Sequence, residues 1–436
     1  MLQNNLHESG RLQFSPVGLM LGLGFALYVY RFPVGDGNIS VLRVAMLFLG
    51  IYLAFCVFFQ KRRISAAYCL LIISVLFLVS INFYYYLFLN EYPIPQQEII
   101  SHSVNLFLFL QIVLFIDSRN QLISILNSFI LTSLVAIAIG YFGFFYEAIP
   151  FEYLLRVYGP ETAVETPYII QDGDFFRFSG PFMDPNFFGV YLLTVLIFSV
   201  WLYFNHVRSN FYLMMSVLAL ATLFLTLSRT AMIGLFIFFL VFIFAWRSRM
   251  KVIILTTIGF LIVVSAVTIF VVFPDLIDRL LNTESASDRL YFIFKGMDAF
   301  IAYPLFGSGP INIVDEETGI ATAHLMYLTV LAKFGLVGAF VYLFFIFYPV
   351  INVIFAGRRF IEGYRQLILW LYLPLFIIYF LYDFLTFLEF QYLIFSVGYS
   401  VVFLSYSKKA HLREDRKSSM QNEIYASHKS ESPGAL

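Results

Sequence analysis

The sequence predicts an all-α, polytopic integral membrane protein with about twelve transmembrane helices. Three observations carry this. Of 436 residues, 61% are hydrophobic and only 12% charged, about half the charge of an ordinary soluble domain. The apolar residues come in uninterrupted runs long enough to cross ~30 Å of hydrocarbon as helix. They do not alternate with polar residues in the short segments that build transmembrane β-barrels.

Apolar runs place helices at about 16–31, 39–59, 64–89, 99–116, 121–146, 186–204, 211–227, 230–246, 252–273, 335–356, 365–386 and 390–406. Residues 1–15 are polar and lack the apolar core and cleavage site of a removable signal peptide, so the first run is read as a retained membrane helix. Cys56 and Cys69 both lie inside apolar runs, which argues against a disulfide framework. With the N-terminus inside, the inner segments hold eighteen Lys/Arg and the outer segments eight, with Arg43 inside a helix. Basic residues collect on the cytoplasmic side during insertion, so both termini are read as cytoplasmic. Residues 1–406 then form a single membrane domain, and the polar, mixed-charge stretch 407–436 is a disordered cytoplasmic tail. No internal repeat is evident.

This topology puts two long loops, 147–185 and 274–334, on the periplasmic side, and loops of that length in a compact membrane protein usually carry function. The first is acidic, with seven Asp/Glu against two arginines. It ends in Arg177-Phe-Ser-Gly-Pro-Phe-Met-Asp-Pro-Asn186, where Asp184 reads as a helix N-cap and Pro185 as the first helical residue. In the second, Ser285-Ala-Ser-Asp288 resembles a capping box. Leu290, Ile293, Phe294, Met297, Phe300 and Ile301 follow at helical spacing, the pattern of a helix lying on the membrane rather than crossing it. Pro304 and Gly307-Ser-Gly-Pro310 end it in a turn.

Insertion disfavours Lys/Arg on the outer face, so the cations there need a reason. Arg177 precedes a helix, Arg229 sits in the short turn Ser228-Arg-Thr230, and Arg289 opens the amphipathic helix. His324 is the one histidine in the outer segments. Each has a plain structural reading. Arg229 can snorkel to the interface. Arg289 can pair with Asp288 or a lipid phosphate, and His324 can cap or pack against the helix after it. Arg43 and Asp383, both near outer helix ends, read as an interfacial pair. The functional reading rests on their common placement: several guanidiniums and one imidazole on one face of an apolar bundle. Guanidinium binds phosphate in a two-pronged fork and keeps its charge, and imidazole is the usual general base near neutral pH. That set suits a lipid-linked diphosphate, a good leaving group once its developing charge is neutralised, with no need of a metal.

A metal reading would rest on Asp172-Gly-Asp174, a D-x-D step of a kind common in acidic loops. No His/Cys cluster has zinc spacing, and no Walker loop signals nucleotide-driven work. The reading therefore assigns no metal and no cofactor, and no nucleic-acid partner.

Four segments in order resemble the O-antigen ligase/polymerase superfamily of bacterial envelope glycosyltransferases. They are Arg177 to Asn186; Leu225-Thr-Leu-Ser-Arg-Thr-Ala231; Arg289 with Tyr303-Pro-Leu-Phe-Gly-Ser-Gly309; and Ala323-His-Leu-Met-Tyr-Leu328 running to Phe334-Gly-Leu-Val-Gly338. The resemblance implies a GT-C-like membrane fold and transfer of a glycan from undecaprenyl diphosphate on the periplasmic face of the bacterial inner membrane. It implies Arg177, Arg289 and Arg229 on the diphosphate and His324 as the base that activates the acceptor; Asn186 and Tyr327, within the matching motifs, are assigned to substrate binding. One departure is Leu325, where many members carry Asn beside the histidine. Polymerisation of lipid-linked repeat units into O-antigen or a related surface polysaccharide is the preferred activity. Partners would be the donor and acceptor glycolipids, the bilayer, a chain-length regulator and a flippase. An O-antigen ligase, using lipid A core as acceptor, is the nearest alternative. A lipid-linked-oligosaccharide flippase or proton-coupled transporter would want repeated halves and charges at mid-membrane depth, and a purely structural subunit leaves the outer arginines unexplained.

Overall fold

A chain in hydrocarbon has no water to satisfy its peptide groups, so its apolar runs close their hydrogen bonds internally as helices. In the computed structural model, which describes residues 12–27, 30–34, 37–60, 96–146, 156–157, 169–172, 175–182, 184–206, 209–245, 284–308, 325–356, 360–382 and 390–406, the chain is mostly helical. The helices are α1 (Pro16–Ala26), α2 (Val41–Gln60), α3 (Gln96–Phe115), α4 (Arg119–Tyr146), α5 (Pro185–Asn205), α6 (Asn210–Leu225), α7 (Arg229–Ala245), α8 (Glu284–Ala302), α9 (Met326–Ala356), α10 (Glu362–Leu381) and α11 (Phe390–Tyr406). Among the described residues four helices are long and apolar enough to cross a membrane: Arg119–Gly143 within α4, and α5, α9 and α10. The expected helices at 64–89 and 252–273 and the tail 407–436 lie outside the described residues.

The all-α expectation needs one correction. Two small antiparallel sheets, β2-β1-β3 and β4-β5, form in the segments between helices. The expected first helix, 16–31, stops at Ala26. Tyr30–Val34 is strand β1, paired with β2 (Gly37–Ser40) and, through Arg31↔Arg156, with β3 (Arg156–Val157). Pairing across this distance in sequence requires the segment after α1 and the 147–185 loop to lie at the same end of the bundle. β4 (Ile169–Asp172) and β5 (Phe175–Phe178) form a hairpin joined through residues 173 and 174. Asp172 of the D-x-D step is thus the last residue of β4, paired with Phe175.

The helix α5 is buried along nearly its whole length and packs on α4, α6, α7 and α10. Its two ends mark the two ends of the bundle. At its start, the Tyr382 hydroxyl at the end of α10 donates to Asp184 Oδ2 at 2.7 Å. At its finish, Trp201 Nε1 donates to the Gly363 carbonyl at 2.6 Å and Asn205 meets Gln366 at the start of α10. Small residues bring α1 onto α4: a Cβ on Gly22 would lie 2.1 Å from Thr132 Oγ1, close packing of the kind used where lipid offers no hydrophobic drive.

The helix α9 is broken. Gly335 has φ 63° and ψ −171°, so Met326–Phe334 and Leu336–Ala356 are two helical pieces. The expected helix start at 335 therefore coincides with the break, and the preceding piece, rich in the same apolar residues, was not legible as a separate helix. The second piece, 21 residues at ~1.5 Å each, still spans ~30 Å of hydrocarbon. The helix α8 begins at Glu284, which puts Ser285 inside the first turn rather than at its cap.

Candidate active site at one end of the bundle

The Arg177–Asn186 stretch is shaped by aromatics on one side and a helix cap on the other. On β5, Phe178 is buried against Tyr141 and Phe188, with ring centroids 5.1 and 5.6 Å apart. After a 3-10 turn at Gly180–Phe182, Phe182 packs on Phe188 and Tyr191. Asp184 then caps α5 as its sequence predicts: extended backbone, a side-chain oxygen accepting from Asn186 N at 2.6 Å, and Pro185 at the first helical position.

Asn186 Oδ1 is the meeting point of two motifs distant in sequence. The fully buried Ser228 donates its hydroxyl to it at 2.8 Å, and Arg177 Nη2 reaches it at 3.5 Å, a long hydrogen bond. Ser228 also caps α7, accepting from Ala231 N at 3.2 Å. Arg229, the first residue of α7, is exposed immediately beside this junction. The turn that delivers Ser228 and Arg229 is strained. Leu227 has φ 49°, a left-handed conformation that costs a branched side chain about 1 kcal/mol. Arg177, Asn186 and the Ser228-Arg229 turn therefore form one corner, to which Tyr382 is joined through Asp184.

A second corner holds α8 to α9 by backbone. The turn 303–308 after α8 fits into the break in α9: Leu336 N and Val337 N donate to the carbonyls of Pro304 and Leu305 at 2.8 and 3.1 Å. In return the Ala332 carbonyl accepts from Ser308 N at 2.9 Å. The orphan groups on both sides of the break are satisfied this way. The contact is possible only with glycine. A Cβ on Gly335 would lie 2.4 Å from the Leu305 carbonyl, one on Gly307 would lie 2.4 Å from that of Lys333, and both residues have positive φ. The predicted turn at Pro304 and Gly307 is present, and its function is this clasp.

Arg289 lies in the second turn of α8, with its side chain outside the described residues. Leu290, Tyr291, Phe294, Met297 and Ile301 are exposed along one face of that helix, as the membrane-surface reading expects, while Ala299 packs on Ala332 of α9. His324 lies outside the described residues and directly precedes the Leu325 that leads into α9. Tyr327 is described: its hydroxyl donates to the Phe376 carbonyl at 3.0 Å and its ring sits 4.2 Å from that of Phe380. It anchors the helix that follows His324 onto α10. Asp174 and Asp383 also lie outside the described residues, so the metal step and the Arg43–Asp383 pair have no geometry to report. Among the described residues no three His, Cys, Asp or Glu side chains converge.

Residues 214–343 match a family model described as O-Antigen ligase. This stretch is similar to the O-antigen ligase family. It runs from within α6 to within α9, taking in Arg229, Arg289, His324, Tyr327 and the Gly307–Gly335 clasp, and it begins after Arg177 and Asn186. The match supports the resemblance to the O-antigen ligase/polymerase superfamily read from the motifs. The chain has no match among the curated proteins.

Inside the matched stretch, sequence reasoning passed over Ser228 and Lys333, and outside it Tyr382. Ser228 was read only as part of a motif, because nothing local says that it reaches across 42 positions to Asn186. Lys333, 6% exposed, sits at the C-terminal end of the first piece of α9, where helix carbonyls favour a cation. A lone lysine inside an apolar run was the available signal.

Proposed function

We propose that the chain is a membrane-embedded glycosyltransferase that polymerises lipid-diphosphate-linked repeat units into a surface polysaccharide. The observation that carries this reading is the joining of Arg177 and the Ser228-Arg229 turn on Asn186 Oδ1, which brings two guanidinium-bearing motifs to one end of the bundle. Arg289, on the helix clasped beside the one that follows His324, is the third cation of the proposed set. In the reaction, the acceptor sugar hydroxyl attacks the anomeric carbon of the donor. The new C–O bond forms as the bond from that carbon to the phosphate oxygen breaks. The hydroxyl proton passes to the His324 imidazole, and the departing diphosphate takes its negative charge to Arg177, Arg289 and Arg229. Asn186 and Tyr327 belong to substrate binding in this reading, the first by orienting Arg177 and the second by fixing the helix next to His324. No metal is invoked.

We place the reaction on the periplasmic face of a bacterial inner membrane, with undecaprenyl diphosphate as carrier and with a chain-length regulator and a flippase as partners. The description of the matching family favours a second reading, an O-antigen ligase with the same donor and a lipid A core acceptor. One experiment separates the two. Envelope glycolipids are profiled on gels from a strain lacking the gene and from the same strain complemented with wild type or His324→Ala. Core bearing a single repeat in the deletion strain supports the polymerase. Bare core with polymer accumulating on its lipid carrier supports the ligase. A wild-type ladder from His324→Ala removes the histidine from the mechanism.

A further inference from the structure

A groove of about 500 Å³ runs between α7 and α10, at the other end of the bundle from the arginine corner. It is lined by Ile237, Leu240, Val241 and Phe244 on α7 and by Leu369, Leu373, Phe376 and Ile377 on α10, with Arg365 as its single charged lining residue among the described residues. The spacings place each set on one helix face. Arg365 lies in the first turn of α10, which no side chain caps, close to the end of α5 marked by Trp201 and Asn205. From Arg365 to Ile377 is 12 residues along α10, about 18 Å of helix. That is a little over half of a ~30 Å hydrocarbon core, the depth of one leaflet.

We infer that this groove binds one glycerophospholipid with a zwitterionic phosphoethanolamine head, an acyl chain lying between α7 and α10. Three features select this occupant. Among the described residues the groove is apolar along its depth and charged at its mouth, the order of chemistry in a phospholipid. Arg365 offers a guanidinium fork to the phosphate. Glu362, one turn earlier and 64% exposed, stands 3.9 Å from Arg365, a loose pair that a head group can bridge, phosphate to arginine and ammonium to carboxylate. The inner end stops at Phe376, whose carbonyl holds the Tyr327 hydroxyl and whose ring packs on Phe347, so the chain would brace α10 beneath the candidate active site. This inference does not rest on the glycan-transfer reading.

The test is native mass spectrometry of the detergent-purified full chain exchanged into mixed micelles of phosphatidylethanolamine and phosphatidylglycerol. Wild type is expected to retain one phosphatidylethanolamine in preference to phosphatidylglycerol. Arg365→Gln should reduce retention of either lipid roughly tenfold, and Glu362→Gln should abolish the preference while keeping a lipid bound. Leu369→Trp, which fills the groove, should also lose the lipid, while Ile354→Trp on the exposed face of α9 should not. Size-exclusion profiles and melting temperatures confirm that each variant is folded. Wild type without a retained lipid, a preference for phosphatidylglycerol, or a loss in Leu369→Trp but not in Arg365→Gln would overturn the inference.

Discussion

The two corners of the candidate site are held in different ways. At the first, Arg177, Asn186 and Ser228 are joined by side-chain hydrogen bonds over an aromatic floor of Phe178, Phe182 and Phe188. At the second, α8 and α9 are joined chiefly by backbone groups, with Ala299 packed on Ala332 and the Ser308 hydroxyl donating to the Ala332 carbonyl, through a clasp that two glycines make possible. A side-chain junction can lose one partner and keep its shape, because neighbouring groups and packing remain. A backbone clasp has no such reserve: any Cβ placed there pushes the two chains apart. The first corner should therefore respond to mutation in grades, and the second as a unit.

The largest expected effect is at the clasp. Gly335→Ala combines a positive φ with a 2.4 Å approach to a carbonyl and should cost at least about 3 kcal/mol. A melting temperature within a degree of wild type in detergent would show that the clasp is soft and that the contrast fails. Gly307→Ala should behave alike, and the double variant should cost less than the sum, since both open the same contact.

Next is Arg177→Lys. It keeps the charge and leaves the aromatic floor untouched, so the fold should survive, but a point ammonium cannot make the fork. Transfer from a lipid-linked donor in vitro should drop roughly 10²-fold with little change in melting temperature. Near-normal polymer from this variant would sink the diphosphate assignment.

Ser228→Ala removes two hydrogen bonds at the first corner, the 2.8 Å bond to Asn186 and the 3.2 Å cap of Ala231 N, while Tyr382→Phe removes the 2.7 Å bond to Asp184. Each should cost about 1–2 kcal/mol of stability. Ser228→Ala should also lower transfer, because Asn186 then keeps only the long bond to Arg177. Equal transfer in both variants would separate the Asn186 junction from the chemistry. The smallest effect is expected at Leu227. Leu227→Gly relieves the left-handed strain of about 1 kcal/mol and gives back part of it as unfolded-chain entropy. Its melting temperature should match or slightly exceed that of wild type, and a clear loss would mean that the leucine side chain, and not the turn, holds Ser228 in place.

How much of this was readable in advance follows from the range of each interaction. The N-cap at Asp184, the turn after α8 and its exposed apolar stripe are local, set by residues within one or two turns, and the sequence predicts them correctly. The end of α1 is different. The apolar run reads as helix up to Arg31, but Tyr30–Val34 pairs with a hairpin partner and with Arg156–Val157, more than a hundred residues away. In α9 the apolar run places a helix start at 335, but that Met326–Phe334 is itself helical and joins it across a break at Gly335 is set by one residue's backbone angle and by the turn that fills the break.

By itself, then, the sequence determined a largely helical membrane protein, a capped helix start after Arg177, and the order of motifs that resembles the superfamily. Burial of apolar surface and local capping are enough to dictate those features. Only the tertiary structure decided that Asn186 is the point where Arg177 meets Ser228, that Gly307 and Gly335 close a broken helix, and that Arg365 stands at the mouth of an apolar groove. Those depend on which helix faces which. That choice is made by close fits such as Gly22 on Thr132 and by single buried hydrogen bonds, and neither leaves a periodic trace in the chain.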